Sequence, residues 1–270
     1  METTKGGIPF WALMLAGFAV GLGFGLWVNL GLGAETPWVV FVTSNITGPI
    51  GQIFLGLLFM LVLPLLFSAI VVGVAEMGDL GSLGRVGWKT LLMTIVISTI
   101  AVLIGLGLVN ALRPGDGVDA ALAQQLLTQY AEGAQGIVQN APAEVNIGQF
   151  FLDLVPRNVF GAAANNQILP FMVFSVFFGI GLVMVKSRAT DQLQLAITGI
   201  FEVMMRLLRV VISLAPVAIA CLMFNLAALF GWDLLARLAA FVGVAVGAMA
   251  LHMFVVYPII VMLFAGKNPL

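Results

Sequence analysis

The chain predicts an all-α fold, a polytopic integral membrane protein of about six transmembrane helices, and three observations carry that expectation. Hydrophobic residues make up 61% of the 270 and charged residues only 9%, with a mean hydropathy of +1.14; a soluble protein carries roughly 25% charged residues. The apolar residues gather into long runs. At a rise of about 1.5 Å per residue, a helix of roughly 20 residues crosses a hydrocarbon core of about 30 Å. Lysine and arginine are also sorted between alternate connecting segments, as the positive-inside bias requires.

Span one covers residues 10–32. Lys5 precedes an apolar stretch that ends in small residues, but residues 8–32 are far longer than a signal-peptide core of about 7–15 residues, so the segment reads as a retained span. Gly17, Gly21 and Gly25 have the small-xxx-small spacing that lets two helix backbones approach closely. Gly21, Gly23 and Gly25 do not form a dinucleotide loop, for no strand precedes them and no acidic partner follows. Trp11, Trp27 and Trp38 fall where indoles sit at the headgroup level.

Span two, residues 53–75, holds Pro64 at its middle and Ser68 as its only hydroxyl. A short connector, residues 76–89, follows. Span three, residues 90–112, carries Thr90, Thr94 and Ser98 at i, i+4 spacing on one face, with Thr99 beside them. Bonding back to their own helix carbonyls is the plain structural reading of these hydroxyls. Residues 116–147 form a polar, acidic loop with a short helix near 120–130, and 147–167 read as a broken or interfacial helix. Span four, 168–185, starts near Pro170. An amphipathic connector leads into span five, 210–231, and span six, 238–264, contains His252 and Pro258.

With an inside N-terminus, Lys5, Arg85, Lys89, Lys186, Arg188, Arg206, Arg209 and Lys267 fall on one side of the membrane. Arg113, Arg157 and Arg237 fall on the other, a bias of eight against three. Both termini are therefore expected in the cytoplasm. The apolar cores of the spans contain no Asp, Glu, Lys or Arg. His252 is the one ionisable exception, and a lone histidine lacks the partners of a metal site or a nucleophilic triad. It is expected to pack or to bond within its helix. Cys221 reads as a small packed hydrophobe. Neither an enzyme, nor an organic cofactor, nor a nucleic-acid partner is expected. Two classes remain: part of a transporter, or a structural subunit of a membrane complex with no transport of its own.

Four motifs occur in order: FLGLLFMLVLPLLFSAIVVGVAEMGDLGSLGRVGWKT before a span ending in RPG, NNQILPFMVFSVFFGIGL, LAPVAIACLMF, and VVYPIIVMLFAGKNP. In these the chain resembles the dicarboxylate/amino acid:cation symporters, the glutamate-transporter family. The resemblance implies a homotrimer in a bacterial inner membrane that carries acidic amino acids or C4-dicarboxylates with Na+ or H+ by an elevator motion. It assigns residues 1–75 and 148–232 to a scaffold with trimer contacts, and residues 76–115 and 233–270 to a transport unit, with 116–147 the extracytoplasmic loop. The glycines of the 76–89 connector would then allow motion. The family's Asn-Met-Asp-Gly-Thr substrate motif does not occur in the sequence, and with the abrupt finish near residue 270 this leads to the expectation of an N-terminal, six-span part without substrate-binding residues. In a family cation site, Thr94 takes the place of a tyrosine, Ile97 that of a threonine, and Ser98 matches a serine. Ser98 and Thr94 are therefore the candidate cation ligands, and Ile97, which has no oxygen for a hard cation, implies an altered site, of which a change of coupling ion from sodium to proton is one reading.

Overall fold

The computed structural model describes residues 9–77, 80–116 and 147–265, and every regular element among them is helical. In chain order these are α1 (Phe10–Gly31), α2 (Pro37–Val42), α3 (Gly48–Glu76), α4 (Leu80–Leu112), α5 (Ile147–Asp153), α6 (Val159–Ala164), α7 (Ile168–Met184), α8 (Arg188–Ser213), α9 (Ala215–Leu251) and α10 (Tyr257–Ala265). Four stretches among the described residues are long and apolar enough to cross a membrane: Phe10–Gly31, Pro37–Glu76, Gly87–Leu112 and Ala215–Leu263. The apolar α7 is shorter. The last stretch is broken at Gly231, whose φ of 67° and ψ of −165° no helix tolerates, and it thus provides two rods.

Several boundaries differ from expectation for local reasons. The segment before span five is a helix in its own right. Ser187 accepts from the Thr190 amide while the Thr190 hydroxyl accepts from the Ser187 amide, a capping box that starts α8. α8 runs to Ser213, and a turn at Leu214 separates it from α9, so residues 210–231 are divided between two helices. The expected connector at 76–89 is largely absorbed: α4 begins at Leu80 and takes in Gly81, Gly84 and Gly87. Span two starts upstream of residue 53, because α2 and α3 join through a π-type turn, Thr43–Thr47. The broken helix expected at 147–167 is present as α5 and α6. The short helix near 120–130 and nearly all of the polar loop lie outside the described residues.

Both π-type turns, Thr43–Thr47 and His252–Val256, stand one residue before a proline, Pro49 and Pro258. Proline has no amide hydrogen and its ring collides with the carbonyl four residues back. Widening the helix by one residue before it removes that collision. Pro64 is instead held inside α3, where the buried Ser68 hydroxyl donates to the Pro64 carbonyl at 2.8 Å.

By contacts the chain separates into two compact units, one of Met1–Arg85 with Asn140–Leu229 and the other of Val86–Gln139 with Phe230–Leu270. In the first, α1 runs parallel to the start of α9 in close backbone contact. A Cβ at Gly17 would collide with the Pro216 carbonyl and one at Gly21 with that of Ala220. At Gly25 it would lie 2.7 Å from the Phe224 oxygen. Polar bonds lock the same seam: Asn29 donates to the Ala228 carbonyl at 2.8 Å, and the Thr47 hydroxyl donates to the Asn225 side-chain oxygen. Val28, Val39, Phe224 and Ala228 form its apolar core.

α3 packs along α7 and α8. Phe67 lies among Phe171, Phe174 and Phe178, with ring centroids 5.4–6.3 Å away, and Val71 and Val72 meet Ile197 of α8. Ser175 and Gly179 give α7 its own small-xxx-small face, with a Cβ at Gly179 falling 2.9 Å from Val74. All five tryptophans point outward. In the second unit, Arg237 donates to the Asp116 backbone carbonyl just beyond α4, where Arg113 takes a φ of 42° before Pro114. His252 and Tyr257 share a groove with Ala101, so α4 and the distal part of α9 run antiparallel.

The α1 seam makes a clear demand. Gly21→Val should destabilise the chain by about 1–3 kcal/mol, seen as a lower unfolding midpoint in detergent. Gly23→Ala, whose added Cβ meets nothing within 4 Å, should be neutral or slightly stabilising, since alanine is the better helix former by up to about 1 kcal/mol.

Candidate functional site

The second unit holds the residues singled out for cation binding. Thr94 and Ser98 lie one turn apart on α4 and are both exposed. With Ala101, Gly105 and Val109 they share one stripe of the helix, since steps of three and four residues keep to one face. The next hydroxyl, Thr99, bonds back to the Ile95 carbonyl at 2.7 Å, as the plain structural reading expects. Thr94 and Ser98 do not: neither is hydrogen-bonded to another described residue. Ile97 lies between them, half-buried.

The lower part of that stripe faces an open groove of about 790 Å³. Ala101, Gly105 and Val109 form one wall, and residues of α9, the second π-type turn and Tyr257 form the other. Its lining is apolar except for His252 and the Tyr257 phenol. The two rings meet edge to face, with centroids 5.1 Å apart and an interplanar angle of 69°. His252 Nδ1 is buried without a hydrogen-bond partner. Of the two roles expected from the sequence, packing or bonding within its own helix, the ring packs against Tyr257 and Nδ1 makes no bond within the helix. A polar atom left unsatisfied in this way costs about 1–3 kcal/mol. The periodicity of α4 could have paired the hydroxyl face with this groove, but the sequence alone did not show that His252 lay opposite.

What this arrangement can do chemically is limited by its donor set. A hard cation takes several oxygen ligands, and Thr94 and Ser98 offer two hydroxyls. No group of three or more His, Cys, Asp or Glu residues that could hold a metal occurs among the described residues. The first unit has two smaller features. Phe201, Glu202, Met205, Arg206 and Arg209 line a hollow of about 250 Å³ on α8. Lys186, Arg188 and Asp191 border another at the start of that helix. Both follow the polar stripe of an amphipathic helix. Cys221 is half-buried, in keeping with a packing role.

Long apolar helices and small-residue seams define a polytopic α-helical membrane protein. The chain belongs to the sodium:dicarboxylate symporter family, whose model matches residues 10–270, and this is a family of transporters rather than enzymes. It is 34% identical over 206 residues to a proton/glutamate-aspartate symporter of Escherichia coli K12, covering 76% of this chain and 46% of that protein. Identity is 31% over 241 residues to a proton/sodium-glutamate symport protein of Geobacillus stearothermophilus, covering 88% and 56%. It is 36% over 189 residues to a C4-dicarboxylate transport protein of Anaeromyxobacter sp. strain K, covering 69% and 41%. The chain therefore spans about half the length of these relatives.

Proposed function

We propose that this chain is the six-span, N-terminal part of a secondary active transporter that carries acidic amino acids or C4-dicarboxylates in symport with Na+ or H+. The family match over residues 10–270 carries the reading, and the names of the relatives supply the substrate classes and coupling ions. Substrate-binding residues are placed in the part of the relatives to which this chain does not correspond. The protein is read as a homotrimer in the bacterial inner membrane with its N- and C-termini on the cytoplasmic side.

Residues 1–75 and 148–232 act as the scaffold, and residues 76–115 and 233–270 as part of the transport unit of an elevator. The division into two compact units, with boundaries at residues 85 and 229, supports that assignment. Ser98 and Thr94 belong to a cation site that other segments complete. Their unbonded hydroxyls on one exposed face of α4 favour this over a purely structural role, and Ile97 in the same turn favours a weakened sodium site.

Vesicles containing only this chain should not concentrate aspartate or succinate. Joined to the C-terminal half of the Escherichia coli relative, it should do so when a sodium or proton gradient is imposed. Radiolabel uptake reads both. A chimera that folds and assembles but takes up neither substrate would instead indicate a structural subunit.

In the active chimera, Ser98→Ala should raise the half-saturating cation concentration by roughly tenfold, about 1.4 kcal/mol, with trimer assembly unchanged by cross-linking. Ile97→Thr, which adds a hydroxyl to the same turn, should increase the sodium dependence. Identical ion dependence in all three proteins would leave α4 a plain helix.

A further inference from the structure

The hollow at the start of α8 combines charge with apolar lining. Lys186, Arg188 and Asp191 border it together with Ala75, Leu182 and Val185, around a space of about 620 Å³. The other charged hollow, at Arg206 and Arg209, is formed by α8 alone, whereas this one is walled by α3, α7 and the chain that leads into α8. Its depth follows from those neighbours. The apolar stretch that contains α3 ends at Glu76 and the apolar α7 ends at Met184, so the hollow opens where two apolar helices stop, at the level of lipid headgroups. From there α8 runs back along α3, with Ile197 against Val71 and Val72. Lys186 and Arg188 are exposed, and neither is hydrogen-bonded or ion-paired to another described residue. Beside them Met184 and Val185 are exposed too, at 66% and 54%. The helix end is not the attraction, because the Thr190 amide already donates to the Ser187 hydroxyl. Unpaired cations next to bare apolar side chains fit a partner that is anionic at one end and apolar at the other.

We propose that this hollow binds the headgroup of an anionic phospholipid, with the phosphate at Lys186 and Arg188 and the start of an acyl chain on Ala75, Leu182 and Val185. Basic pockets between membrane helices take such headgroups. The charges balance: two cations and the Asp191 carboxylate leave one net positive charge, which a phosphodiester with one negative charge neutralises. A free phosphate would meet the same cations but leave the apolar wall bare. Asp191 and Gln194, three residues apart on α8, also line the hollow, and residues at that spacing are neighbours on a helix surface. An ionised carboxylate only accepts hydrogen bonds. It therefore suits a headgroup that brings hydroxyls beside its phosphate, as phosphatidylglycerol does and phosphatidic acid does not. A lipid held in this way ties α3, α7 and α8 together at one corner of the first unit. The site requires only a chain that spans a bilayer and is independent of the symport reading.

Native mass spectrometry of the intact chain, released from detergent micelles, counts bound lipid directly. Phosphatidylglycerol should be retained more tightly than phosphatidylcholine with the same acyl chains, and inorganic phosphate at equal concentration should not displace it. Lys186→Gln combined with Arg188→Gln should weaken phosphatidylglycerol binding by roughly tenfold or more, since each basic side chain near a membrane surface contributes about fivefold. Arg206→Gln combined with Arg209→Gln removes the same charge from the same helix and should leave that binding unchanged. Asp191→Asn should keep the phosphate in place and reduce the preference for phosphatidylglycerol over phosphatidic acid. All five side chains are exposed, so each variant should keep the unfolding midpoint of the parent. Equal retention of phosphatidylcholine, displacement by inorganic phosphate, or equal loss in the two double variants would each overturn the proposal. A lipid preference unmoved by Asp191→Asn would overturn its choice of headgroup.

Discussion

Close backbone approach between α1 and the beginning of α9 is the contact on which the first unit depends. In hydrocarbon an apolar side chain gains little by leaving lipid for protein, so helices associate through packing at short range and through hydrogen bonds. Gly17, Gly21 and Gly25 supply that range by presenting bare backbone to Pro216, Ala220 and Phe224. Once the axes are this close, Asn29 can reach the Ala228 carbonyl and Thr47 the Asn225 side chain. The Phe24 and Phe224 rings then stack with centroids 5.4 Å apart. A larger residue at any of the three glycines would separate the helices and lengthen those bonds together. The same economy recurs at α3 and α7, where Ser175 and Gly179 do what the glycines do on α1.

This explains which features were legible in the sequence. Span existence follows from apolar length, and the glycine repeat of α1 is a local pattern whose consequence is local, so both were readable. The end of α4 was readable too, because Arg-Pro-Gly stops a helix by its own chemistry. The start of α8 carried a signal in Ser187, Thr190 and Asp191, whereas the break at Leu214 lies within an apolar run and is marked only by Pro216, in the first turn of α9. Gly231 was legible only as a glycine near the end of a span; that it takes a positive φ depends on how the chain turns there. The partners of Asn29 and Thr47 lie 199 and 178 residues away, and no periodicity reports a pairing of that kind. For the candidate site, the shared face of Thr94 and Ser98 was visible as spacing, whereas the groove and the unpartnered His252 nitrogen are tertiary facts.

The two units are joined by crossings of different character. Near residue 85 the chain passes from one to the other inside α4, whose helix is continuous from Leu80. At residue 229 it passes beside Gly231, where the helical geometry is broken. A continuous helix transmits torque along its axis, while a glycine with a positive φ can redirect the chain without moving side chains. Of the glycines of the 76–89 segment, Gly81, Gly84 and Gly87 are committed to α4.

The units also differ in how they use their polar atoms. In the first, the side chains of Asn29, Thr43, Thr47, Ser68, Ser175 and Asn225 are each engaged in a hydrogen bond that ties a helix to itself or to a neighbour. Such bonds tie the helices of that unit to themselves and to one another. In the second, Thr94, Ser98 and His252 Nδ1 lack partners among the described residues, and two of these residues share a helix face that continues into the groove where the third lies. A buried polar atom left without a partner is costly. The polar groups named in the first unit are thus spent on helix packing, whereas Thr94, Ser98 and His252 Nδ1 are not spent on it among the described residues.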